Sequence, residues 1–398
     1  MAGEVDHRRP STVRVLGPWG LAALGGVGAL AAVLLARSAA AAAASQVWSP
    51  FVLVAGLLVV GVAADQDGLF AAAGRGLARL APNGILLFAG AAVTVAVVTA
   101  LLNLDTSVVF LTPVLAYAAR SRPESEAALL VGCLLLSNAD SLLLPGSNLT
   151  NLIVLGHLHL SGGQFFGRMA LPWLASVVVT AVGIALVEQR SLRSRRDPVA
   201  GDPMATVPSV PTAPALTVGL GVVGVAAVTV LVLILHSPAL PVAAVGAVVA
   251  TVRLSTGRMR PAEVRRVVGA PVLVGLFGIA VALGTLGRTW SGPATLLSHL
   301  DAVGTAAVAA VSTVLVNNLP AAALLASRVP PHPYALLLGL DIGPNLFVTG
   351  SLAWILWIRT CRSSGAAPPV ARSVGIGLVT VPLAVAAALA MLAATGSL

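Results

Sequence analysis

The stretches LLNLDTSVVFLTP (101–113) and STVLVNNLPAAALL (312–325) place polar residues in the middle of long apolar runs. The polar breaks are NLD at 103–105 and NNLP at 317–320. A backbone N–H or C=O group that faces hydrocarbon without a partner costs several kcal/mol, so each break must face protein or water. Each apolar run is long enough for two half-length helices. The sequence therefore predicts that each run folds back on itself as a re-entrant hairpin.

The composition of the whole chain requires a lipid bilayer. Of the 398 residues, 58% are hydrophobic and 9% are charged, and the mean hydropathy is +0.97. A soluble domain carries about 25% charged residues, so a soluble fold could not cover this apolar surface. A membrane span needs about 20 apolar residues. Apart from the broken runs 84–119 and 302–329, candidate spans lie near residues 17–36, 47–64, 127–157, 165–188, 214–235, 239–253, 267–287, 332–358 and 373–395.

The arginines indicate how the chain crosses the membrane. The chain has no lysine, so all 23 of its Lys and Arg residues are arginine. With a cytoplasmic N-terminus and two re-entrant hairpins, every arginine lies on the cytoplasmic side except Arg37, Arg168, Arg288 and Arg328. This bias follows the positive-inside rule. If the broken runs are instead counted as full spans, the loops with the most arginines move outside, so the hairpin topology is favoured. We predict a multi-pass protein of the cell (plasma or inner) membrane, whose first apolar run is a span and not a cleaved signal.

The two halves of the chain resemble each other. Asn103 corresponds to Asn317, and Gly146-Ser147 corresponds to Gly350-Ser351. The first hairpin enters from the cytoplasm and the second from outside, so the repeats are inverted. Paired broken helices in inverted halves indicate the central site of a transporter. The predicted fold is therefore an all-α polytopic membrane protein, an inverted repeat with two re-entrant hairpins and two discontinuous helices.

This pattern divides the chain into five segments. They are an N-terminal cytoplasmic tail and first span (1–46), a first transport repeat (47–188), a cytoplasmic linker rich in proline and arginine (189–215), connecting spans with a basic loop (216–266) and a second, inverted transport repeat (267–398). The first repeat contains the hairpin 84–119 and the second contains the hairpin 302–329.

Polar residues in and near the breaks form the candidate substrate and ion site. The predicted site residues are Asn103, Asp105, Asp140, Ser147, Asn148, Asn151, Asn317, Asn318, Asp341, Asn345, Gly350 and Ser351. Ionisable residues inside a membrane are costly and are commonly functional. Each of the three aspartates could carry a proton or a cation, or could cap a half-helix. The asparagines could line the site or satisfy unwound backbone.

Other kinds of chemistry are not indicated. The sequence has no phosphate-binding loop and no Ser/His/Asp or zinc-protease signature, so we predict no enzyme, no cofactor and no nucleic-acid partner. Cys133 is expected to pack in an apolar helix, and Cys361 to lie in a cytoplasmic basic loop. His157 and His159 are too few ligands for a metal site. Glu188 is expected at the membrane interface.

At its polar breaks the chain resembles the arsenite efflux pump family. That family lies in the ion-transporter superfamily, which also contains sodium/proton antiporters and dicarboxylate carriers. The resembling segments are 101–113, 137–158, 312–325 and 336–357, with SNLTNL (147–152) and GPNLFVTGSLA (343–353) the most specific. The resemblance implies re-entrant hairpins, unwound helices and proton-coupled export of arsenite or antimonite. The partners that follow are the bilayer, a small inorganic substrate with a coupling proton or sodium ion, a soluble ATPase subunit as that family can use, and a second copy of the chain.

The chain departs from the family pattern at three positions. Leu104 stands where a second asparagine is common, and Asp140 and Asp341 stand where neutral residues are expected. These acids leave a sodium/proton antiporter, or another ion or organic-anion permease of the superfamily, as alternatives. A dicarboxylate is less favoured, because the hairpin breaks lack the Ser-Asn-Thr pattern and the apolar core lacks Arg and Lys.

Overall fold

The structure is a computed structural model that describes residues 18–80, 83–119, 125–156, 158, 160–193, 216–235 and 237–397. All the regular elements in these ranges are helices, which confirms the predicted all-α fold. Most of the predicted cytoplasmic tail and of the linker 189–215, together with His157 and His159, lies outside the described residues.

Nine helices are described in the first half of the chain. They are α1 Pro18–Leu35, α2 Arg37–Gln66, α3 Leu69–Leu80, α4 Gly84–Leu101, α5 Leu104–Ala119, α6 Glu126–Asp140, α7 Leu149–Leu155, α8 Gly162–Val187 and α9 Gln189–Arg193. A short 3-10 turn, Pro145–Ser147, lies between α6 and α7.

The described part of the second half has ten helices. They are α10 Leu220–Ile234, α11 Ala239–Ser255, α12 Pro261–Val268, α13 Ala270–Thr289, α14 Gly292–Ser298, α15 Ala302–Val316, α16 Asn318–Leu325, α17 Pro333–Ile342, α18 Leu352–Ser363 and α19 Val370–Ala394. A 3-10 turn, Gly343–Leu346, follows α17. Within the described residues, the helices long and apolar enough to cross a membrane are α2, α4, α8, the stretch Pro261–Thr289 and α19.

Helices end where the sequence places its polar breaks. Leu102 and Asn103 separate α4 from α5, and Asn317 separates α15 from α16. The predicted spans 127–157 and 332–358 are each two helices, α6 with α7 and α17 with α18, joined by non-helical or 3-10 backbone. The chain therefore has two broken helix pairs and two discontinuous helices, as predicted.

The first broken pair, α4 and α5, starts and ends at the same end of the molecule. A Cβ atom on Gly84, where α4 begins, would lie 2.6 Å from the carbonyl oxygen of Leu192 and 2.9 Å from the hydroxyl of Ser125. Ser125 directly precedes α6 and follows α5 by a short connection. The start of α4, the end of α5, the start of α6 and helix α9 therefore lie together.

The second broken pair leaves at a different end. The side-chain amide of Gln46 donates to the carbonyl oxygens of Ile153, in α7, at 3.1 Å and of Ala326, just after α16, at 2.8 Å. The guanidinium of Arg328 donates to the carbonyl oxygen of Arg288 at 3.0 Å, near the end of α13. The end of α16 therefore lies with the end of α7, whereas the first pair lies with the start of α6.

Small residues let the helices that flank these pairs pack closely. A Cβ on Gly25, in α1, would lie 2.1 Å from the carbonyl oxygen of Gly275, in α13. A Cβ on Gly246, in α11, would lie 2.8 Å from the Cα of Gly56, in α2. Close backbone contact of this kind stabilises helix pairs in lipid, where no hydrophobic effect drives helices together. Helices α1, α2, α10, α11 and α13 form one packed framework.

Two ion pairs join distant helix ends. Arg253, the last residue of the candidate span 239–253, lies in the last turn of α11 and forms a buried pair with Asp67. Glu188, expected at the membrane interface, is itself buried and pairs at 2.5 Å with Arg372, whose side chain is half exposed. The hydropathy pattern of the sequence does not reveal these ion pairs, because the two partners of each pair lie at the ends of helices that are far apart in the chain.

Three other sequence-based placements change with the structure. The boundary after residue 46 falls inside α2, and the boundary after residue 266 falls inside α12. Both helices begin in polar or small-residue sequence that hydropathy alone assigns to loops. Cys361 lies in the last turn of α18 and is buried, and not in a loop.

Candidate functional site

A small cavity lies where the breaks of the two halves meet. Its volume is about 30 Å³, room for roughly one or two water molecules. The lining residues are Leu104 and Asp105 from the first pair, Asn148 and Leu149 from α7 and its cap, Asn317, Asn318 and Leu319 from the second pair, Ser351 and Leu352 from the start of α18, and Val54, Leu273 and Leu276 from α2 and α13. Five of the twelve predicted site residues, Asp105, Asn148, Asn317, Asn318 and Ser351, therefore line one cavity.

The first hairpin tip presents a carboxylate to this cavity. The Asn103 side-chain oxygen accepts from the backbone N–H of Thr106 at 2.7 Å and so caps α5. The Asn103 amide nitrogen is buried and has no partner. Asp105 lies in the first turn of α5, half-buried against the cavity. Asn103 therefore shapes the tip, and Asp105 is the group that reaches the cavity.

The second hairpin tip is strained. Asn317 has φ 77° and ψ 152°, the one positive φ of a non-glycine residue in the described ranges. Such a conformation costs on the order of 1–3 kcal/mol and persists only where the surroundings enforce it. The Asn317 amide donates to the carbonyl oxygen of Thr349 at 3.2 Å, and the Asn318 N–H donates to the carbonyl oxygen of Gly350 at 2.9 Å. The break before α18 thus holds the tip of the second pair.

Glycine is required at the centre of that contact. A Cβ on Gly350 would lie 2.5 Å from the backbone of Pro344. The predicted site residue Gly350 thus contributes its backbone, which accepts from Asn318, and the space left by its missing side chain. Ser351 follows it, and its buried hydroxyl has no partner in the described structure. A buried polar group without a partner calls for an explanation, and this hydroxyl belongs to a residue that lines the cavity.

The two discontinuous helices are joined behind the cavity. The Asp341 carboxylate accepts from the Asn148 amide at 3.0 Å and from the Thr150 hydroxyl at 2.5 Å. The Asn148 amide also donates to the Ser141 hydroxyl at 3.2 Å. Asp341 belongs to α17, whereas the other three residues belong to the break and start of α7. One half therefore positions a cavity residue of the other.

A second bond between the halves lies beside the first. The Asn138 amide donates to the side-chain oxygen of Asn345 at 2.9 Å, and the Asn345 amide donates to the carbonyl oxygen of Leu135 at 2.8 Å. Asn151 donates to the carbonyl oxygens of Ser141 and Leu144, at 2.7 and 3.1 Å. Asn151 thus satisfies unwound backbone and Asn138 and Asn345 join the two halves, and none of the three lines the cavity.

Two predicted site residues contact neither the cavity nor this junction. The Ser147 hydroxyl donates to the carbonyl oxygen of Ala100 in α4 at 3.4 Å. Asp140, at the end of α6, accepts from the Trp173 indole of α8 at 3.1 Å, and its second oxygen has no partner. Asp140 is fully buried. Its surroundings are a helix interface and not the cavity wall.

The charge of the cavity wall limits what it can bind. Asp105 is the one carboxylate among the lining residues, which include no arginine or histidine. The other polar groups are three asparagines and a serine. Such a wall can exchange hydrogen bonds with a neutral polar solute or hold a small cation beside Asp105. It offers no fixed positive charge to an anion.

Sequence reasoning missed two kinds of residue at this site. Val54, Leu273 and Leu276 come from unbroken apolar helices, where nothing distinguishes a cavity-lining leucine from a lipid-facing one. Thr150 and Asn138 stood within the polar segments, and only their bonds across the two halves show their importance.

Known proteins match nearly all of this chain. Residues 13–358 match the citrate transporter family, CitMHS. The chain is 23% identical over 342 residues to the arsenical pump membrane protein of Escherichia coli, covering 79% of this chain and 78% of that protein. This similarity confirms the resemblance found in the polar segments.

A solved structure has a similar fold. It is the crystal structure of the Alcanivorax borkumensis YdaH transporter, whose topology is described as unusual. The TM-score is 0.54, with 14% identity over 94% of this chain and 98% of that one. At this identity the likeness shows the fold alone.

Proposed function

The chain belongs to the citrate transporter (CitMHS) family and is a secondary membrane transporter; we propose that it exports arsenite or antimonite in exchange for protons. The observation that carries this proposal is that both halves place polar residues in an otherwise apolar cavity wall, with Asp105 as the one charged group. Arsenite is a neutral trihydroxide at pH 7, so it needs hydrogen-bond partners and no counter-charge. The E. coli relative, an arsenical pump membrane protein, supports the same cargo.

A trihydroxide can bond to several groups in the wall. Its hydroxyl groups can donate to the Asp105 carboxylate and to the side-chain oxygens of Asn148 and Asn318, and can accept from the Asn318 amide. The Ser351 hydroxyl lies buried without a partner and can bond to the same solute. A buried polar group that gains a partner no longer bears the desolvation cost of about 1–3 kcal/mol.

Transport also requires that the cavity open to each side in turn. We propose that the halves are inverted repeats and that the broken pairs move against the framework of α1, α2, α10, α11 and α13. In that arrangement the hairpins open at opposite ends, so one motion can close one side while it opens the other. The same proposal places the protein in the cell membrane with a cytoplasmic N-terminus.

Citrate transport is the second candidate, and the family match favours it. A tricarboxylate would normally be held by arginine, whose planar guanidinium binds a carboxylate through two hydrogen bonds. No arginine lines the cavity, so the wall offers citrate no such contact. Sodium/proton exchange is also considered, because Asp105 could bind a small cation.

Transport into inside-out vesicles separates these cargoes. The chain is expressed in a bacterium that lacks arsenite efflux, and inside-out vesicles are prepared with an interior more acidic than the medium. Arsenite, antimonite, citrate, sodium or lithium is then added to the medium. We expect metalloid accumulation that a protonophore abolishes. Citrate or sodium movement without metalloid movement would refute the metalloid proposal.

A pair of variants links the activity to the cavity. Asn318→Ala removes a cavity amide, and the loss of one neutral hydrogen bond, about 0.5–1.5 kcal/mol, should raise KM about 2- to 12-fold. Asn83→Ser is the matched control, because Asn83 caps the exposed start of α4 and serine caps equally well. Equal KM values for the two variants would show that the cargo does not bind in this cavity.

A further inference from the structure

Asp341 has a bonding pattern that the cargo site does not explain. One carboxylate oxygen accepts from both Asn148 and Thr150, and the other is fully buried without a partner. Asp341 itself has no exposed surface and does not line the cavity. A carboxylate oxygen in that position needs either a proton or a cation for part of the time.

The neighbouring helices supply no counter-charge. The titratable or charged residues on the helices packed against α17 are Glu126, Cys133 and Asp140 on α6 and Arg372 on α19, with Tyr334 on α17 itself. None of these residues bonds to Asp341 in the described structure. Arg372 pairs with Glu188, Asp140 bonds to Trp173 and Tyr334 bonds to Arg168. Helices α7, α15 and α16 carry no charged side chain.

Asn148 connects this buried carboxylate to the cavity. Its amide is bonded to Asp341 and Ser141, and the same residue lines the cavity. A hydrogen bond to a charged carboxylate is roughly twice as strong as one to a neutral acid. The charge on Asp341 therefore decides how firmly Asn148 is held in the cavity wall.

We propose that Asp341, and not Asp105, takes up and releases the coupling proton, and that Asn148 transmits its charge to the cargo site. This inference rests on the proposed exchange of a metalloid for protons. With Asp341 charged, Asn148 and Thr150 are held and the cavity wall is ordered for cargo. A proton from water then forms an O–H bond at the free oxygen, the bond to Asn148 weakens, and cargo binds less tightly. By linkage, cargo binding promotes loss of that proton, which is what exchange requires.

The three aspartates at the breaks, Asp105, Asp140 and Asp341, differ in ways that favour this assignment. Asp105 touches the cavity directly, so its loss removes a cargo contact whatever its charge does. Asp140 bonds to Trp173 at an interface away from the cavity wall. Asp341 alone bonds to a residue that lines the cavity while remaining outside it.

The first test does not depend on cargo. Purified protein in nanodiscs is stepped between acid and alkaline pH, and the infrared difference spectrum is recorded in the carbonyl region of protonated carboxyl groups. Wild type should show a band that is lost in Asp341→Asn, which keeps an oxygen acceptor for Asn148 and Thr150. The same band should remain in Asp140→Asn and Asp105→Asn. An unchanged spectrum in Asp341→Asn would overturn the proposal.

The second test uses proteoliposomes loaded with arsenite. Asp341→Asn is permanently neutral, so it should raise the KM for arsenite but keep at least half of the wild-type counterflow rate at saturating arsenite. Its pH-driven arsenite accumulation should fall more than about 10-fold. Asp341→Glu keeps a carboxylate at this position and should retain pH-driven arsenite accumulation. It therefore shows whether a loss of activity in Asp341→Asn comes from the missing carboxylate or from misfolding. Full pH-driven transport by Asp341→Asn, or its absence in a folded Asp341→Glu protein, would refute the assignment. If wild type moves no arsenite, the cargo proposal fails, and the infrared result alone decides the role of Asp341.

Discussion

Replacing Gly377 with alanine probes how tightly α19 packs against the break in the second discontinuous helix. A Cβ atom on Gly377 would lie 1.9 Å from the carbonyl oxygen of Asn345, whereas real Cβ contacts essentially never fall below 3.0 Å. The two segments must therefore separate by about 1 Å. Gly375 lies on the same helix, and a Cβ there would meet nothing within 4 Å. Gly375→Ala is thus the matched control.

That separation should break the junction between the two halves. The side chain of Asn345 bonds to Leu135 and Asn138 at 2.8 and 2.9 Å, and a shift of Asn345 by about 1 Å to relieve the clash with α19 would spoil the geometry of both bonds. Two lost hydrogen bonds cost about 0.5–1.5 kcal/mol each, and overpacking costs about 1–3 kcal/mol. The sum is a destabilisation of about 2–6 kcal/mol. A misplacement of this size can also slow turnover on the order of 100-fold.

The assay is thermal unfolding of the purified protein in detergent, together with initial transport rates in vesicles. Both variants gain the same helix propensity from Gly→Ala, up to about 1 kcal/mol, so their difference isolates the contact with Asn345. Gly377→Ala should unfold at a clearly lower temperature than Gly375→Ala and transport poorly. Equal unfolding temperatures would refute the packing described at this break.

Three further changes test the buried polar contacts. Arg253→Ala should destabilise the protein by about 3–5 kcal/mol, because Asp67 stays buried and unpaired. In thermal unfolding, the double variant Asp67→Asn/Arg253→Gln should recover much of this lost stability. If the double variant recovers none of it, the ion pair is contradicted. Trp173→Phe removes the indole donor to Asp140 and should lower the free energy of unfolding by about 1–3 kcal/mol. The KM for the cargo should not change. A raised KM would place Asp140 in the cargo site. Gln46→Leu removes two hydrogen bonds to carbonyl oxygens at the ends of α7 and α16. The free energy of unfolding should fall by about 1–3 kcal/mol. An unchanged unfolding temperature would show that these bonds do not stabilise the protein.

Several features of this protein follow from its sequence alone. High hydropathy and low charge require a membrane, and the polar breaks at Asn103 and Asn317 mark where helices end, because unwound backbone in hydrocarbon needs polar partners. The prediction of discontinuous helices at 127–157 and 332–358 is confirmed for the same reason. These signals are local, so a one-dimensional pattern carries them.

Tertiary structure alone decides which polar residues meet. Asp105, Asn148, Asn317, Asn318 and Ser351 share a cavity. The sequence places Asp140 and Asp341 in equivalent apolar surroundings, yet one bonds to a tryptophan at a helix interface and the other to a cavity asparagine. Their partners lie on helices far away in the chain, and the direction of a side chain on a packed helix depends on how that helix is rotated against its neighbours. Hydropathy determines that an aspartate is buried, and packing determines what it is buried against.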